Sequence, residues 1–125
     1  MASAYPTPAM LRVKRSSQCG NYTMTVAWQT VFAQNQLYAW MFASGKVNLS
    51  NMILGDHIEI RVSTRDTLAG GFIVQDLFDY DDVQPTNKQK IVIGSILDTF
   101  GVLVEMRQTV GALIQCYCEF YDATR

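Results

Sequence analysis

The sequence has few charged residues for its length, and their charges nearly cancel. Lys, Arg, Asp and Glu make up 17% of 125 residues, with a formal net charge of -1, whereas about 25% is typical of soluble proteins. Without an excess of positive charge, the chain lacks the attraction that binds duplex nucleic acid or anionic membranes. We therefore expect neither as a partner, and a surface that is either weakly charged or partly covered by other molecules.

Histidine and cysteine are also scarce. His57 is the single histidine, and the three cysteines are Cys19, Cys116 and Cys118. An odd cysteine count without framework spacing argues against a disulfide-stapled secreted domain, and Cys-x-Cys without a second ligand pair is a weak zinc signal. We expect buried free thiols in a reducing compartment and a histidine that faces either solvent or an interface. The sequence predicts no catalytic residue, no metal and no cofactor, and hence no enzyme.

Long hydrophobic runs are absent as well. No stretch of about 18 apolar residues is present, so no membrane-spanning helix is predicted. Residues 1–20 lack the continuous apolar region of a signal peptide, and their prolines disfavour helix. The sequence therefore predicts an extended N-terminal arm over residues 1–20 and one domain over residues 21–125. The basic cluster of the arm consists of Arg12, Lys14 and Arg15. It is either a solvated basic tail or a means of steering the arm to an acidic partner.

What the sequence does contain is alternation with a period of two. It is clearest over residues 57–63, where Ile58, Ile60 and Val62 alternate with polar side chains. Further strands are predicted at about residues 22–29, 37–43, 72–78, 91–93, 102–107 and 112–121, although residues 31–42 also fit a helix. Short strands separated by turn signals are typical of an antiparallel β-sandwich or jelly roll, so we predict an all-β fold.

Three segments are predicted as connections between strands. Gly45 and Asn48 mark a polar linker, and Gly70-Gly71 marks a hairpin turn that uses positive φ angles. The acidic segment Asp79–Asp82 reads as a solvated loop; a Ca²⁺ site there is the alternative, although the spacing does not match an EF-hand.

Aromatic residues are concentrated between residues 28 and 42. Their density exceeds what one face of a sandwich can bury, so part of the group is predicted to contact another subunit. The expected contact residues are Tyr38, Trp40 and Phe42, together with the basic cluster of the arm.

Several short motifs resemble a family of small virion proteins encoded by tailed bacteriophages. They are Leu49-Ser50, Gly55-Asp56, the strand Ile58 to Val62, Gly70-Gly71 and the segment Val102 to Gly111, which ends in Gln-Thr-Val-Gly. The resemblance extends over about residues 49 to 121. It differs at the last strand, where the family has a Ser-Phe-x-Trp-like pattern and this chain has Ile114-Gln-Cys-Tyr-Cys118.

The resemblance implies a non-enzymatic virion protein, assembled in the host cytoplasm, that binds the major capsid protein or other virion proteins. A capsid decoration (cement) protein is the main expectation, with a homo-oligomer, for instance a trimer, as the binding form. The alternatives are a head-to-tail, tail or fibre component, or a carbohydrate-binding jelly roll that uses an exposed tryptophan and the Asp79–Asp82 segment.

Overall fold

The computed structural model describes residues 12–35, 40–94, 96–98 and 100–124, and its regular structure is almost entirely β-strand. Within these residues a single 3-10 turn, Thr86–Lys88, is the one helical element, and no helix is long and apolar enough to cross a membrane. The strands are β1 (Arg12–Arg15), β2 (Gly20–Thr23), β3 (Gln29–Gln34), β4 (Trp40–Asn48), β5 (His57–Thr64), β6 (Ile73–Asp81), β7 (Lys90–Ile93), β8 (Ile96–Asp98), β9 (Val102–Val110) and β10 (Gln115–Thr124).

The strands form two antiparallel sheets. The first has the order β1-β10-β4-β7, with β2 also paired to β10 and β8 also paired to β4; the second has the order β3-β9-β5-β6. Because β1 and β2 pair with successive parts of β10, they act as one interrupted strand. The same holds for β7 and β8, which pair with successive parts of β4.

The strands pair as they would in one long β-hairpin that is folded over on itself. Counting each interrupted strand once reduces ten strands to eight. The first then pairs with the eighth, the second with the seventh, the third with the sixth and the fourth with the fifth. This is the jelly-roll arrangement of two stacked sheets. The predicted antiparallel β-sandwich of jelly-roll type is confirmed.

The core lies between the two sheets and uses alternate residues of each central strand. On β5, Ile58, Ile60 and Val62 are buried, as their alternation predicts. The rings of Phe32 and Phe120 come from opposite sheets and pack with their centroids 5.1 Å apart. Each large apolar side chain buried in this way contributes about 1.5–3 kcal/mol to folding.

Two of the three cysteines belong to this core. Cys116 and Cys118 on β10 are fully buried, and burial raises the pKa of each thiol to about 12. Cys19 is half-buried, and its sulfur accepts a hydrogen bond from the amide of Phe120 at 3.2 Å. All three are free thiols, so the prediction of buried thiols is confirmed for the pair on β10 and is wrong in degree for Cys19.

The strand predicted over residues 22–29 is wrong, because the chain crosses from one sheet to the other there. It leaves β2 after Thr23 and enters β3 at Gln29. Met24 stays buried and its amide donates to the carbonyl of Ile114 at 2.8 Å, whereas Val26 is exposed. The alternation of apolar residues therefore spans a crossover, and the helix considered for residues 31–42 is also wrong, because its described parts lie in β3 and β4.

Two of the three predicted connections are wrong, and the third is correct in position but not in backbone conformation. Gly45 and Asn48 lie inside β4, where they pair with β7. Gly70 and Gly71 do connect β5 to β6, but neither has a positive φ. Asp79 and Asp81 belong to β6, so the acidic segment is mostly strand. Polar residues are accommodated in these strands because one face or edge of each is open to solvent.

The predicted arm is partly incorporated into the first sheet. Residues 12–15 form β1, which pairs with the last strand from Arg12 opposite Thr124 to Arg15 opposite Tyr121. Residues 1–11 lie outside the described residues. The part of the arm that is described is extended, but it is an edge strand of the sandwich.

Candidate functional site

The predicted basic cluster lies on β1, at the edge of the six-stranded sheet. Lys14 and Arg15 are exposed, and the Arg15 guanidinium donates a hydrogen bond to the hydroxyl of Tyr117 at 2.7 Å. This bond raises the pKa of Arg15 further, so that its charge is permanent. Within the described residues β1 pairs with β10 on one side only. The cluster therefore gives this open edge a positive charge.

The aromatic contact residues are only partly accounted for. Tyr38 lies outside the described residues. The backbones of Trp40 and Phe42 lie in β4, opposite Asp98 and Ile96 of β8. The description of Trp40 and Phe42 covers the backbone alone, so their role as contact residues stays a prediction.

A second open edge was not singled out by the sequence, and it carries exposed apolar side chains. Strand β6 lies at the end of the four-stranded sheet and pairs with β5 alone within the described part of the chain. Ile73, Val74 and Leu77 are exposed to 60%, 49% and 58%. A long edge strand with exposed apolar residues offers unpaired N–H and C=O groups to another chain. We name Ile73–Asp81 the β6 edge.

The β6 edge is also acidic. Asp76, Asp79 and Asp81 are exposed on it, and the strand contains no basic residue. Natural proteins use such charges to prevent edge strands from pairing indiscriminately. The sequence shows an acidic segment at Asp79–Asp82, but the position of these residues on an edge strand follows only from the strand order.

The outer face of the four-stranded sheet carries a cluster of ion pairs around one tryptophan. Arg61 is bonded to Glu105 at 2.7 Å, and Arg107 to Glu59 at 2.6 Å, in both cases across the β5–β9 pairing. Both guanidinium groups lie over the ring of Trp28, at 4.2 and 4.4 Å from its centroid. The two pairs are partly exposed and their charges cancel, so this group of side chains has no net charge.

His57 is bonded to the acidic edge. Its Nδ1 lies 2.5 Å from a carboxylate oxygen of Asp81, the residue opposite it on β6. The hydrogen bond to Asp81 raises the pKa of His57 above its ordinary value of 6.5. The imidazole is half-buried and does not point fully outward. Its contact with Asp81 links the edge strand β6 to its neighbour β5.

Two motifs of the bacteriophage resemblance, Gly55-Asp56 and the segment Gln108 to Gly111, meet at one buried corner. Asp56 accepts a hydrogen bond from the amide of Ile53 at 2.8 Å, and its other oxygen faces the Gln108 side chain at 3.5 Å. Gly111 has a φ of 94°, and a Cβ there would collide with the Asp56 carboxylate. Asp56 and Gln108 are both 1% exposed. The motifs therefore specify a turn in the fold, which we name the Asp56–Gln108 corner.

The described residues offer little to a metal or a reacting substrate. They contain no group of three or more His, Cys, Asp or Glu side chains placed to hold a metal ion. One depression is lined by Lys46, Asn48, Lys90, Tyr117 and Glu119.

No protein family and no curated protein matches the sequence. The fold resembles several solved structures, two of which are described below. VP2 of infectious bursal disease virus, solved as a subviral particle, has a TM-score of 0.58 and 11% identity over 98% of this chain, which spans 34% of the VP2 chain. A protein from Bacillus endospore appendages, described as disulfide-linked pili, has a TM-score of 0.54 and 12% identity, covering 99% of this chain and 98% of its own.

At these identities the likeness shows a shared fold alone. Both neighbours are described as parts of assemblies, a subviral particle and a pilus. The likeness does not extend to the bacteriophage family, so membership of that family stays a prediction.

Proposed function

We propose that the protein is a structural subunit of a virion, and within that class a decoration protein that binds the assembled head of a tailed bacteriophage. The observation that carries the proposal is the pair of open, oppositely charged strand edges on an otherwise well-packed jelly roll. A surface of this kind is suited to protein–protein contact by strand addition.

Three further observations support a binding role without catalysis. His57 is held by Asp81, and the thiols of Cys116 and Cys118 are fully buried with their pKa raised to about 12. A nucleophile needs an accessible, activated group, and a buried thiol with a raised pKa is inert. The two fold neighbours, a viral particle protein and a pilus protein, are components of assemblies.

The proposed mechanism is stabilisation by linkage. A protein that binds only the assembled lattice lowers the free energy of that state and leaves the dissociated subunits unchanged. At a free concentration 100 times the dissociation constant, each bound site gains about 2.7 kcal/mol. The protein would act in the virion after assembly in the host cytoplasm, with the major capsid protein or another virion protein as its partner.

The test uses heads purified from a mutant of the encoding phage in which the gene for this protein has been deleted. Purified protein is added back, bound copies are counted by electron cryomicroscopy, and the temperature of head disruption is measured. The proposal predicts regular occupancy and a higher disruption temperature. Density at the portal or along the tail would instead assign it as a head-to-tail or tail component, and no binding to any part of the particle would refute a virion role.

The carbohydrate-binding alternative loses part of its basis. The acidic segment proposed as its calcium or sugar site is mostly strand, and Asp81 is bonded to His57. Binding to a glycan array that is abolished by a chelator would restore it.

A further inference from the structure

The two open edges carry opposite charges. Strand β1 has three basic residues out of four and lies at the edge of the six-stranded sheet. Strand β6 has three aspartates out of nine residues and lies at the edge of the other sheet. Both are antiparallel to their single neighbour within the described residues. We propose that the β6 edge of one copy pairs with β1 of a second copy, so that the two sheets continue into one another.

Charge selects this pairing over the symmetrical ones. Two β6 edges side by side would bring the aspartates of one copy, Asp76, Asp79 and Asp81, close to those of the other copy. Two β1 strands would likewise bring Lys14 and Arg15 of one copy close to those of the other copy. Like charges directly opposite each other destabilise a strand pair, whereas opposite charges stabilise it. The β1-to-β6 contact is therefore favoured, and each edge is protected from pairing with itself.

The exposed apolar residues support contact at the same edge. Val74 and Leu77 lie within the strand, and Ile73 begins it, so strand addition would remove part of their surface from water. Exposed apolar groups of this size lower the free energy when they are covered. β7 and β3, which end the two sheets on their other sides, do not match this combination, because β7 carries one basic residue and β3 carries no charge.

A contact between two different surfaces has a definite consequence for symmetry. It joins copies head to tail, so it closes into a ring when the rotation between copies permits and otherwise continues as a filament. A trimeric ring is one such closed form. The inference rests on the proposed function only in naming the protein as an assembly subunit, and the pairing itself is a property of the pure protein.

The experiment measures the mass of the purified full chain by sedimentation velocity over a wide range of concentration and salt. One variant reverses two charges of β1, Arg12→Glu with Lys14→Glu. A second reverses two charges of β6, Asp76→Lys with Asp79→Lys. Each variant alone is expected to associate at least about tenfold more weakly than the wild type. An equimolar mixture of the two is expected to recover association, because each reversed edge then meets an oppositely charged one.

The matched control is Lys88→Glu with Lys90→Glu, which makes the same charge change at and beside β7. It should leave association unchanged. Recovery in the mixture distinguishes lost pairing from misfolding, since two misfolded variants cannot restore each other, and denaturant unfolding of each variant checks the fold directly. For the wild type, the oligomer should dissociate as salt is raised, because the charges are exposed and screened.

Some results would overturn the pairing. A wild type that stays at 14.1 kDa at every concentration would do so. A compact dimer that neither charge reversal affects would also do so, because its interface would lie elsewhere. If the protein is monomeric in solution and still binds heads, the edge pairing fails and the proposed function stands. If it forms charge-dependent oligomers and binds no particle, the proposed function fails and the pairing stands.

Discussion

Replacing Gln108 with leucine tests the Asp56–Gln108 corner with little change in side-chain volume. The side-chain oxygen of Gln108 accepts a hydrogen bond from the N–H of Ile114 at 3.0 Å. Its side-chain nitrogen donates to the carbonyls of Ala112 and Val110 at 2.9 and 3.1 Å. Leucine has a similar shape and makes none of these bonds. The substitution therefore isolates the hydrogen bonds of the corner from its packing.

The magnitude follows from which groups are left without a partner. Ala112 and Val110 are exposed, so their carbonyls can bond to water. Ile114 is half-buried and Asp56 is buried. The N–H of Ile114 and one carboxylate oxygen of Asp56 would both lose Gln108 as a partner. Each such group costs about 1–3 kcal/mol, which gives about 2–6 kcal/mol for Gln108→Leu. The total stability of a domain is about 5–15 kcal/mol, so the loss is a large fraction of it.

The assay is urea unfolding followed by tryptophan fluorescence. The midpoint for Gln108→Leu should fall while the slope stays unchanged, because the same surface is exposed on unfolding. Thr109→Val is the control: it alters the neighbouring exposed residue with equal conservation of shape and should change stability by less than about 0.5 kcal/mol. A loss below about 1 kcal/mol in Gln108→Leu would contradict the assignment of the motifs to a fold-specifying corner.

Three further predictions concern the core and the outer face. Cys116 and Cys118 should resist alkylation at neutral pH until the protein unfolds, as measured by mass spectrometry; rapid labelling of either in the native state would contradict their burial. By NMR, the pKa of His57 should lie above 6.5, and Asp81→Asn should lower the pKa of His57. Because the pKa of His57 is raised in the folded state, the His57–Asp81 pair stabilises the fold fully below pH 6.5. This contribution is lost as the pH rises through the folded-state pKa of His57. Trp28→Ala should cost about 1–2 kcal/mol, since two cation–π contacts are removed, and an unchanged urea midpoint would refute their contribution.

Local patterns in the sequence predicted the central strands. The alternation in β5 and β9 is strict because each strand has one face on the core and the other on solvent, and this is a property of neighbouring residues. The same logic failed at residues 22–29, where alternation continues across a change of sheet. Periodicity predicted the burial of Met24 but not the exposure of Val26, because it does not report where the chain leaves a sheet.

The candidate site was less predictable for a related reason. The basic residues of β1 and the acidic residues of β6 were visible in the sequence, but a strand becomes an edge only through the order of strands in space. Likewise Arg61 and Glu105 are 44 residues apart and meet because β5 and β9 pair in one register. Such long-range pairing has no local signal, and for this reason the acidic segment was interpreted as a loop.

Strand β10 lies at the centre of the first sheet, where it pairs with β1, β2 and β4. It also follows β1, β2 and β4 in the chain, so it is synthesised after all three of its partners. The nascent chain can form the β5–β6 hairpin early, but the first sheet cannot close before β10 is released. Within the described part of the chain, β1 and β2 have no strand to pair with until β10 emerges, and β4 can pair only with β7 and β8, so unpaired strand edges stay exposed during synthesis. Growing chains of this protein are therefore expected to depend on chaperones, and a stop codon shortly before Gln115 should leave an insoluble product.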